Sequence, residues 1–253
     1  MQPPPISLDE IKARIGPHLN ELLRLWWAEQ GACKPRDLEL MASVLPFPRA
    51  ERLHVLDLCC GPGDAGRAIW RQYPNVQVDG VDREPFLASI CMGVNRRDGI
   101  LGKIVVADLA EEAWHAELGN RYNVVVIANA LHWFSTERAR QILRDVHVRM
   151  HAGSVLLFAE PTDVAPPFAA GFEVWKEKQP PRYSHEAWQR FWSRATEILG
   201  YDPVKLWGPR PADRVDDSMT VAGWVGVAEG AGFTDTEVLL RDADQVIVAA
   251  VRR

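Results

Sequence analysis

An α/β fold is predicted for this chain: a doubly wound, mostly parallel, seven-stranded sheet carrying a helical cap. Three observations predict it. Between residues 53 and 161 short apolar runs alternate with helix-length segments, the spacing of parallel strands joined by crossover helices. The first run ends on a glycine turn, VLDLCCGPGDAG at 55–66, as where a strand passes into a helix beside a ligand. After Pro161 the rhythm stops in a stretch rich in proline and tryptophan, and it returns near residue 218.

Residues 1–5 are proline-rich and read as loose. Ser7 followed by Glu10 is a capping box, opening an amphipathic helix with Ile11, Ile15, Leu19, Leu22, Leu23 and Trp26 on one side. Pro17 breaks or kinks it. A second helical piece over Pro35–Leu45 ends at Pro46-Phe47-Pro48. Strands are expected at Val55–Leu58, Val76–Val81, Ile104–Ala107, Val124–Ala128 and Ser154–Ala159. The fourth is fully apolar, as a central strand buried on both faces must be. Helices are expected at Ala65–Tyr73, Pro85–Val94 and Glu137–Met150, the last followed by a turn at His151-Ala152-Gly153.

The stretch from Pro161 to about Asp217 has prolines at 161, 166, 167, 180, 181, 203, 209 and 211 and four tryptophans. A linker would be polar and poor in aromatics, so this reads as an inserted cap. A helix ending at Gly230-Ala231-Gly232-Phe233 then leads to runs at Thr236–Leu240 and Val246–Val251. Their closeness predicts a hairpin, with an antiparallel strand at the end of the sheet. The expected organisation is a helical lid segment at 1–50, a ligand-binding core at 51–161, a helical cap at 162–217, and a helix with a strand hairpin at 218–253 that completes the core.

The composition sets bounds on function. At 253 residues, 47% hydrophobic and 25% charged, this is an ordinary globular composition. The net charge of −5, with arginines scattered among acids, disfavours a nucleic-acid partner. There is no apolar run of ~18 residues, so no membrane helix is expected, and the N-terminus lacks the pattern of a signal peptide. Cys33, Cys59, Cys60 and Cys91 match neither a disulfide framework nor a paired zinc site, which points to the cytoplasm and to no metal. Ten tryptophans suggest an aromatic surface for something bound.

A glycine turn after the first strand lets backbone approach a ligand, with a helix N-terminus alongside. Asp82, about twenty residues past Gly63, can accept both hydroxyls of a ribose. To this point a nicotinamide cofactor and an adenosyl cofactor are served equally. Three features separate them. Asp57 lies inside the first strand, where a nicotinamide site does not need an acid. Asp108 follows the third strand, where a carboxylate can hydrogen-bond an adenine amino group. The fourth strand runs into Asn129-Ala-Leu-His-Trp133 at its carboxyl-terminal mouth, where open α/β sheets bind ligands.

The segments VLDLCCGPGD, GVDRE, VVADL, YNVVVIANALHWF and MHAGSVLLFAEP, in that order, resemble the class I S-adenosylmethionine-dependent methyltransferases, whose fold is Rossmann-like. ALHWF resembles the small-molecule members of the trans-aconitate and ubiquinone-biosynthesis type. The resemblance implies S-adenosylmethionine as cofactor, S-adenosylhomocysteine as product and a small-molecule acceptor. It places Gly61 and Gly63 at the methionine end, with Asp57 organising the turn and the ammonium. It places Asp82, with Arg83 beside it, at the ribose, Asp108 with Leu109 at the adenine, and Asn129 beside the methionine moiety. Two positions depart from the family pattern: Cys59 stands where the first glycine of the turn is usual, and Asn123 where an aspartate is frequent.

Methyl transfer requires a base only when the acceptor is a phenol, alcohol or carbon acid. The candidates are His132, His185, Tyr183 and Glu160. Trp26, Trp133, Trp188 and Trp192 are candidates for the acceptor pocket, against plain core packing; Trp188 and Trp192, four apart, share a helical face. Three other readings stay open: a non-methylating enzyme using the same cofactor, a cofactor-binding regulatory protein without turnover, and, a distant third, a nicotinamide-dependent oxidoreductase. The acceptor and its target atom (oxygen, nitrogen or carbon) are not legible, nor is the choice between monomer and homodimer.

Overall fold

The computed structural model describes residues 4–30, 33–119, 121–179, 183–207 and 219–253, with the side chains of Glu29, Gln30 and Cys33 outside the described set. Prolines 180, 181, 209 and 211 and the end of the expected cap, 208–217, also lie outside the described residues.

In chain order the elements are α1 (Leu8–Ile15), α2 (Leu19–Gln30), α3 (Cys33–Ser43), β1 (His54–Leu58), α4 (Asp64–Gln72), β2 (Gln77–Asp82), α5 (Pro85–Asp98), β3 (Ile104–Val106), β4 (Tyr122–Ala128), α6 (Thr136–His147), β5 (Met150–Pro161), α7 (Ala169–Lys176), α8 (His185–Leu199), α9 (Val221–Gly230), β6 (Thr234–Asp242) and β7 (Gln245–Val251). Pro17 falls in a tight 3-10 turn at Gly16–His18 that joins α1 to α2, because proline has no N–H for an unbroken α-helix. Four helices begin on a hydroxyl: Ser7, Ser135, Ser184 and Thr220 each accept a backbone N–H of the first turn, a cap typically worth about 1 kcal/mol.

The sheet runs β3-β2-β1-β4-β5-β7-β6. β1 to β5 are parallel, and β7 is antiparallel to both neighbours. The antiparallel strand therefore lies between β5 and β6, not at the sheet's end as the hairpin alone suggests. A turn two residues long brings β7 back against the edge that β5 leaves open. β5 is also longer than expected: it begins at Met150 and carries residues 151–153 as strand.

Alternate residues of each strand feed opposite faces. Leu56, Val81, Val125, Leu156 and Val248 pack toward α6 and α9. Val55, Val78, Val124, Leu157 and Ile247 pack toward α3 and α4. A third apolar cluster joins Ile11, Leu22, Leu23 and Trp26 to Phe86, Ile90, Val94, Phe191 and Trp192, which seats the N-terminal helices and α8 together upon α5. Among the described residues no helix is long and apolar enough to cross a membrane.

Candidate cofactor and acceptor site

The carboxyl-terminal ends of β1, β2, β3 and β4 open into one cavity of about 620 Å³. Its floor is the turn after β1. Cys59 takes a left-handed conformation there, φ 51°, which costs an L-residue about 1–2 kcal/mol and a glycine nothing. The Cys60 N–H donates to the Val81 carbonyl at 3.0 Å, and the Gly61 N–H donates to Asp82 Oδ2 at 2.8 Å. The second oxygen of Asp82 accepts the Glu84 N–H at 2.8 Å. Asp82 is therefore held rigidly at the mouth of β2, with lone pairs to spare for a ligand.

The three glycines do different things. Gly61 lines the cavity. Gly63 does not; it is the N-cap of α4 at φ 87°, and a Cβ there would come within 2.7 Å of Cys91 Sγ. At Gly66 a Cβ would meet Val78 Cγ1 at 2.6 Å and Asp57 Oδ2 at 3.1 Å. Gly66 thus serves close packing, and its N–H donates to Asp57 Oδ2 at 2.8 Å. The expectation that Gly63 lines the methionine end is corrected: its role is to seat α4 against α5.

The carboxylates stand in an unusual electrostatic setting. Burial pushes Asp57 up to about 8, against the opposing Gly66 hydrogen bond and with help from the nearby Asp64 and Asp82 charges. Burial also raises Asp82. Glu84, the N-cap of α5, is pushed to about 7 by burial, although the Trp207 indole and the Phe86 N–H bond its carboxylate. Asp108 accepts the Ala110 N–H at 2.9 Å and lies 4.0 Å from the Arg83 guanidinium. The Leu109 carbonyl beside it takes the Arg138 Nε–H at 2.8 Å, which pins this loop to α6. Asn129, left-handed at φ 56°, accepts Gln245 Nε2 on its side-chain oxygen at 3.1 Å, donates its backbone N–H to the Ala159 carbonyl at 2.7 Å, and lines the cavity.

His132 sits in a short turn of 3-10 helix at Leu131–Trp133. Its Nδ1 is 2.8 Å from Glu160 Oε2. Oε1 of Glu160 accepts the N–H groups of Ala130 and Leu131 at 2.9 and 2.8 Å. Glu160 is fully buried and does not line the cavity. The expectation that it could itself be the base is corrected: it orients His132, which does line the cavity.

The roof comes from the lid and cap. Trp26 of α2, Lys34 of α3, Tyr183, Trp188 of α8, Val204 and Trp207 line the cavity, with Trp133 and Phe134 on the β4 side. The Trp26 indole N–H donates to Asp64 Oδ2 at 2.6 Å, and Trp207 reaches Glu84 the same way. Two roof segments are thus clasped to the first residue of α4 and to the N-cap of α5.

Two further expectations are corrected. Trp192 is buried among Phe86, Phe191 and Trp207 and is not among the residues lining this cavity; one turn along α8, Trp188 takes that place. His185, at the exposed start of α8, bonds Gln189 and is not among the lining residues. The reading of the chain missed Lys34, Asp64, Glu84 and Trp207. Asp64 and Glu84 carried a signal, being acids at the first residue or N-cap of the helices that follow strand-end turns. Lys34 carried none, and Trp207 only the general one of a tryptophan-rich chain.

The residues present suit an adenosyl amino-acid ligand. A glycine floor admits its backbone-close approach, and acids at the ends of β1, β2 and β3 match an ammonium, a ribose diol and an exocyclic amine in order along the sheet. Among the described residues no group of three His, Cys, Asp or Glu side chains is placed to hold a metal ion.

Comparison with known proteins bears on the family and the fold. Residues 55–153 match the family model described as "Methyltransferase domain". No curated protein sequence matches the chain. An O-methyltransferase family protein from Burkholderia thailandensis superposes with a TM-score of 0.56 at 17% identity, over 86% of this chain and 55% of that one. The CurJ carbon methyltransferase gives 0.56 at 16% identity, over 85% and 54%. An O-methyltransferase family 2 protein from Planctomyces limnophilus, solved in complex with apigenin, gives 0.56 at 13% identity, over 85% and 56%. At such identities the likeness is one of fold, and the chain spans little more than half the length of these proteins. Residues 55–153 thus match a methyltransferase domain, and the seven-stranded, mostly parallel sheet is the Rossmann-like fold of these methyltransferase structures.

Proposed function

We propose that the protein moves the methyl group of S-adenosylmethionine to an oxygen, nitrogen or carbon atom of a small, partly apolar acceptor, releasing S-adenosylhomocysteine. The observation that carries this reading is the row of carboxylates Asp57, Asp82 and Asp108 at successive strand ends around one cavity. Asp82 would accept the ribose hydroxyls, Asp108 and Leu109 would meet the adenine, and the backbones of Gly61 and Asn129 would flank the amino-acid tail. The bound cofactor supplies an activated methyl group, so alignment of donor and acceptor accounts for much of the rate.

The chain's own residues supply the rest. Buried Glu160 would accept a hydrogen bond from His132 Nδ1–H, the tautomer that leaves Nε2 with its lone pair. Nε2 would then receive the proton that a phenol, alcohol or carbon acid loses as it is methylated. Trp26, Trp133, Trp188 and Trp207 present flat apolar walls that orient the acceptor and exclude water. The neighbours named above include both oxygen and carbon methyltransferases, and either atom suits this arrangement. The acceptor is a small molecule, and the chain works in the cytoplasm as monomer or homodimer.

Calorimetric titration with S-adenosylhomocysteine tests the site. Asp82→Ala is expected to lower affinity at least roughly a hundredfold, two charge-assisted hydrogen bonds being lost; unchanged affinity would sink the assignment. His132→Ala is expected to lower kcat roughly 10²- to 10⁴-fold on a hydroxylated acceptor, with cofactor affinity unchanged. Formation of S-adenosylhomocysteine from S-adenosylmethionine in the presence of acceptor separates methyl transfer from any non-methylating use of the cofactor.

A further inference from the structure

Arg138 is the third residue of α6, and its own backbone is well fixed. Its N–H donates to the Ser135 cap at 3.2 Å, and the helix buries Ala139, Ile142, Leu143 and Val146 against the sheet. From this rigid base the half-buried guanidinium reaches the loop after β3. Nε donates to the Leu109 carbonyl at 2.8 Å and Nη2 joins it there; Nη2 also donates to the Glu111 carbonyl at 2.7 Å. Arg138 is not among the residues lining the cavity, and none of the roles proposed above uses it.

The two carbonyls flank the N–H on which Asp108 depends. The Leu109 carbonyl and the Ala110 N–H belong to one planar peptide unit. Arg138 grips its oxygen, and its N–H donates to Asp108 Oδ1 at 2.9 Å. A charged donor on a peptide oxygen polarises that peptide and strengthens the bond its N–H gives. The guanidinium therefore acts on Asp108 through the peptide between them, fixing Oδ1 and leaving Oδ2 with lone pairs to give. The Arg83 guanidinium stands 4.0 Å from Oδ2, beyond an ordinary hydrogen bond. Between β3 and β4 the described residues form neither helix nor strand, so ties of this kind shape the loop. Leu109 and Trp114 anchor it by burial, but a buried apolar side chain does not aim the carboxylate beside it.

We propose that Arg138 is a positioning residue for selectivity: by holding the peptide behind Asp108, it aims the free carboxylate oxygen at the base of the cofactor. The role rests on the S-adenosylmethionine reading above, in which Asp108 meets the adenine. A rigid carboxylate favours a base that offers an amino group there and rejects one that offers a carbonyl oxygen. A loop released from α6 still admits the ligand, but Asp108 then turns aside, water takes the base edge, and the distinction fades. Lysine cannot replace Arg138 in full, because one ammonium lacks the planar fork that spans two carbonyls.

The test is calorimetry on the full chain with S-adenosylhomocysteine and S-inosylhomocysteine, which carry an amino group and a carbonyl oxygen at the same place on the purine. Wild type is expected to prefer the amino probe roughly tenfold to a hundredfold. Arg138→Met is expected to reduce that preference to about threefold, with affinity for the inosyl probe kept within about twofold. Arg138→Lys is expected to restore part of it. A merely structural role would weaken both probes alike. Equal weakening, or a preference that survives in Arg138→Met, overturns the proposal and leaves the cofactor reading standing. Asp108→Ala is expected to remove the preference, and Arg138→Met added to it to change nothing further. If Arg138→Met lowers the preference equally with and without Asp108, it does not act through that carboxylate and the proposal is overturned. Should Arg138→Met not fold, Arg138→Lys decides, and an undiminished preference there overturns the proposal. Wild type binding both probes equally overturns the proposal alone; wild type binding neither overturns the cofactor reading, and the proposal with it.

Discussion

Two buried aspartates on neighbouring strands meet opposite fates. Asp57 on β1 faces Gly80 across the ladder, and Asp79 on β2 faces Leu56, one step away in register. Both are almost wholly out of water. Around Asp79 burial pushes the carboxyl up, but the His54 ring, the Lys103 N–H and the Gln77 amide outweigh it and hold the group at about 2. The Tyr122 hydroxyl adds a fourth donor at 3.0 Å. Asp57 has the Gly66 N–H and two acidic neighbours, and burial takes it to about 8. The same side chain serves as structural cement where its donors come from the fold, and as a candidate binding group where they are left for a ligand to bring.

The largest effect that would break this contrast belongs to Asp79. Asp79→Ala strands a histidine, a tyrosine hydroxyl and a buried N–H together, and is expected to cost about 3–5 kcal/mol in urea unfolding; a loss under about 1 kcal/mol would refute its structural role. Its lowered value also fixes a direction in pH. The stabilisation is present above about pH 4, where an unfolded aspartate ionises, and is lost as pH falls through about 2.

Asp57 is expected to behave in the opposite sense. With its folded value raised, its contribution is present below about pH 4 and is lost as pH rises through about 8. In thermal melts, Asp57→Asn should therefore flatten the loss of stability of the free protein between about pH 4 and about pH 8. It should also weaken S-adenosylhomocysteine roughly tenfold or more, because the ammonium loses its counter-charge. In wild type the melting-temperature rise given by saturating cofactor should grow between pH 6 and 9, and in Asp57→Asn it should not; equal pH dependence in the two would show that Asp57 does not meet the ligand.

The smallest effect concerns the oddity in the turn. Cys59→Gly is expected to raise stability by up to about 1 kcal/mol by relieving the left-handed backbone, with cofactor affinity within about twofold. A clear loss of stability would mean that the thiol's packing outweighs the backbone cost.

The sheet was legible because its signals are local. Apolar runs of strand length, a glycine turn and acids at strand ends each declare themselves within a dozen residues, and five of the seven strands fall almost where the pattern puts them. The placement of β7 was not legible, since which edge a hairpin joins depends on the strand it finds there. Asp57, Asp82 and Asp108 stood out because each is a carboxylate in or beside an apolar run. Glu160 is also such a residue, but nothing in its neighbours tells whether it faces the cavity or the turn holding His132. Trp188 and Trp192 lie on one helical face, and only the docking of α8 on α5 turns one toward the cavity and the other into the core. Lys34 and Trp207 are 173 positions apart and come to the same chamber solely through tertiary packing.

The ring of indoles gives the chamber an optical property of its own. Trp26 and Trp207 each hold a carboxylate through the ring nitrogen, and Arg83 lies 5.6 Å from the centroid of Trp207. Their emission is therefore tied to the charge and wetness of the space they enclose. A ligand entering there changes both, so the protein reports its own occupancy as a shift in intrinsic fluorescence, without any attached dye.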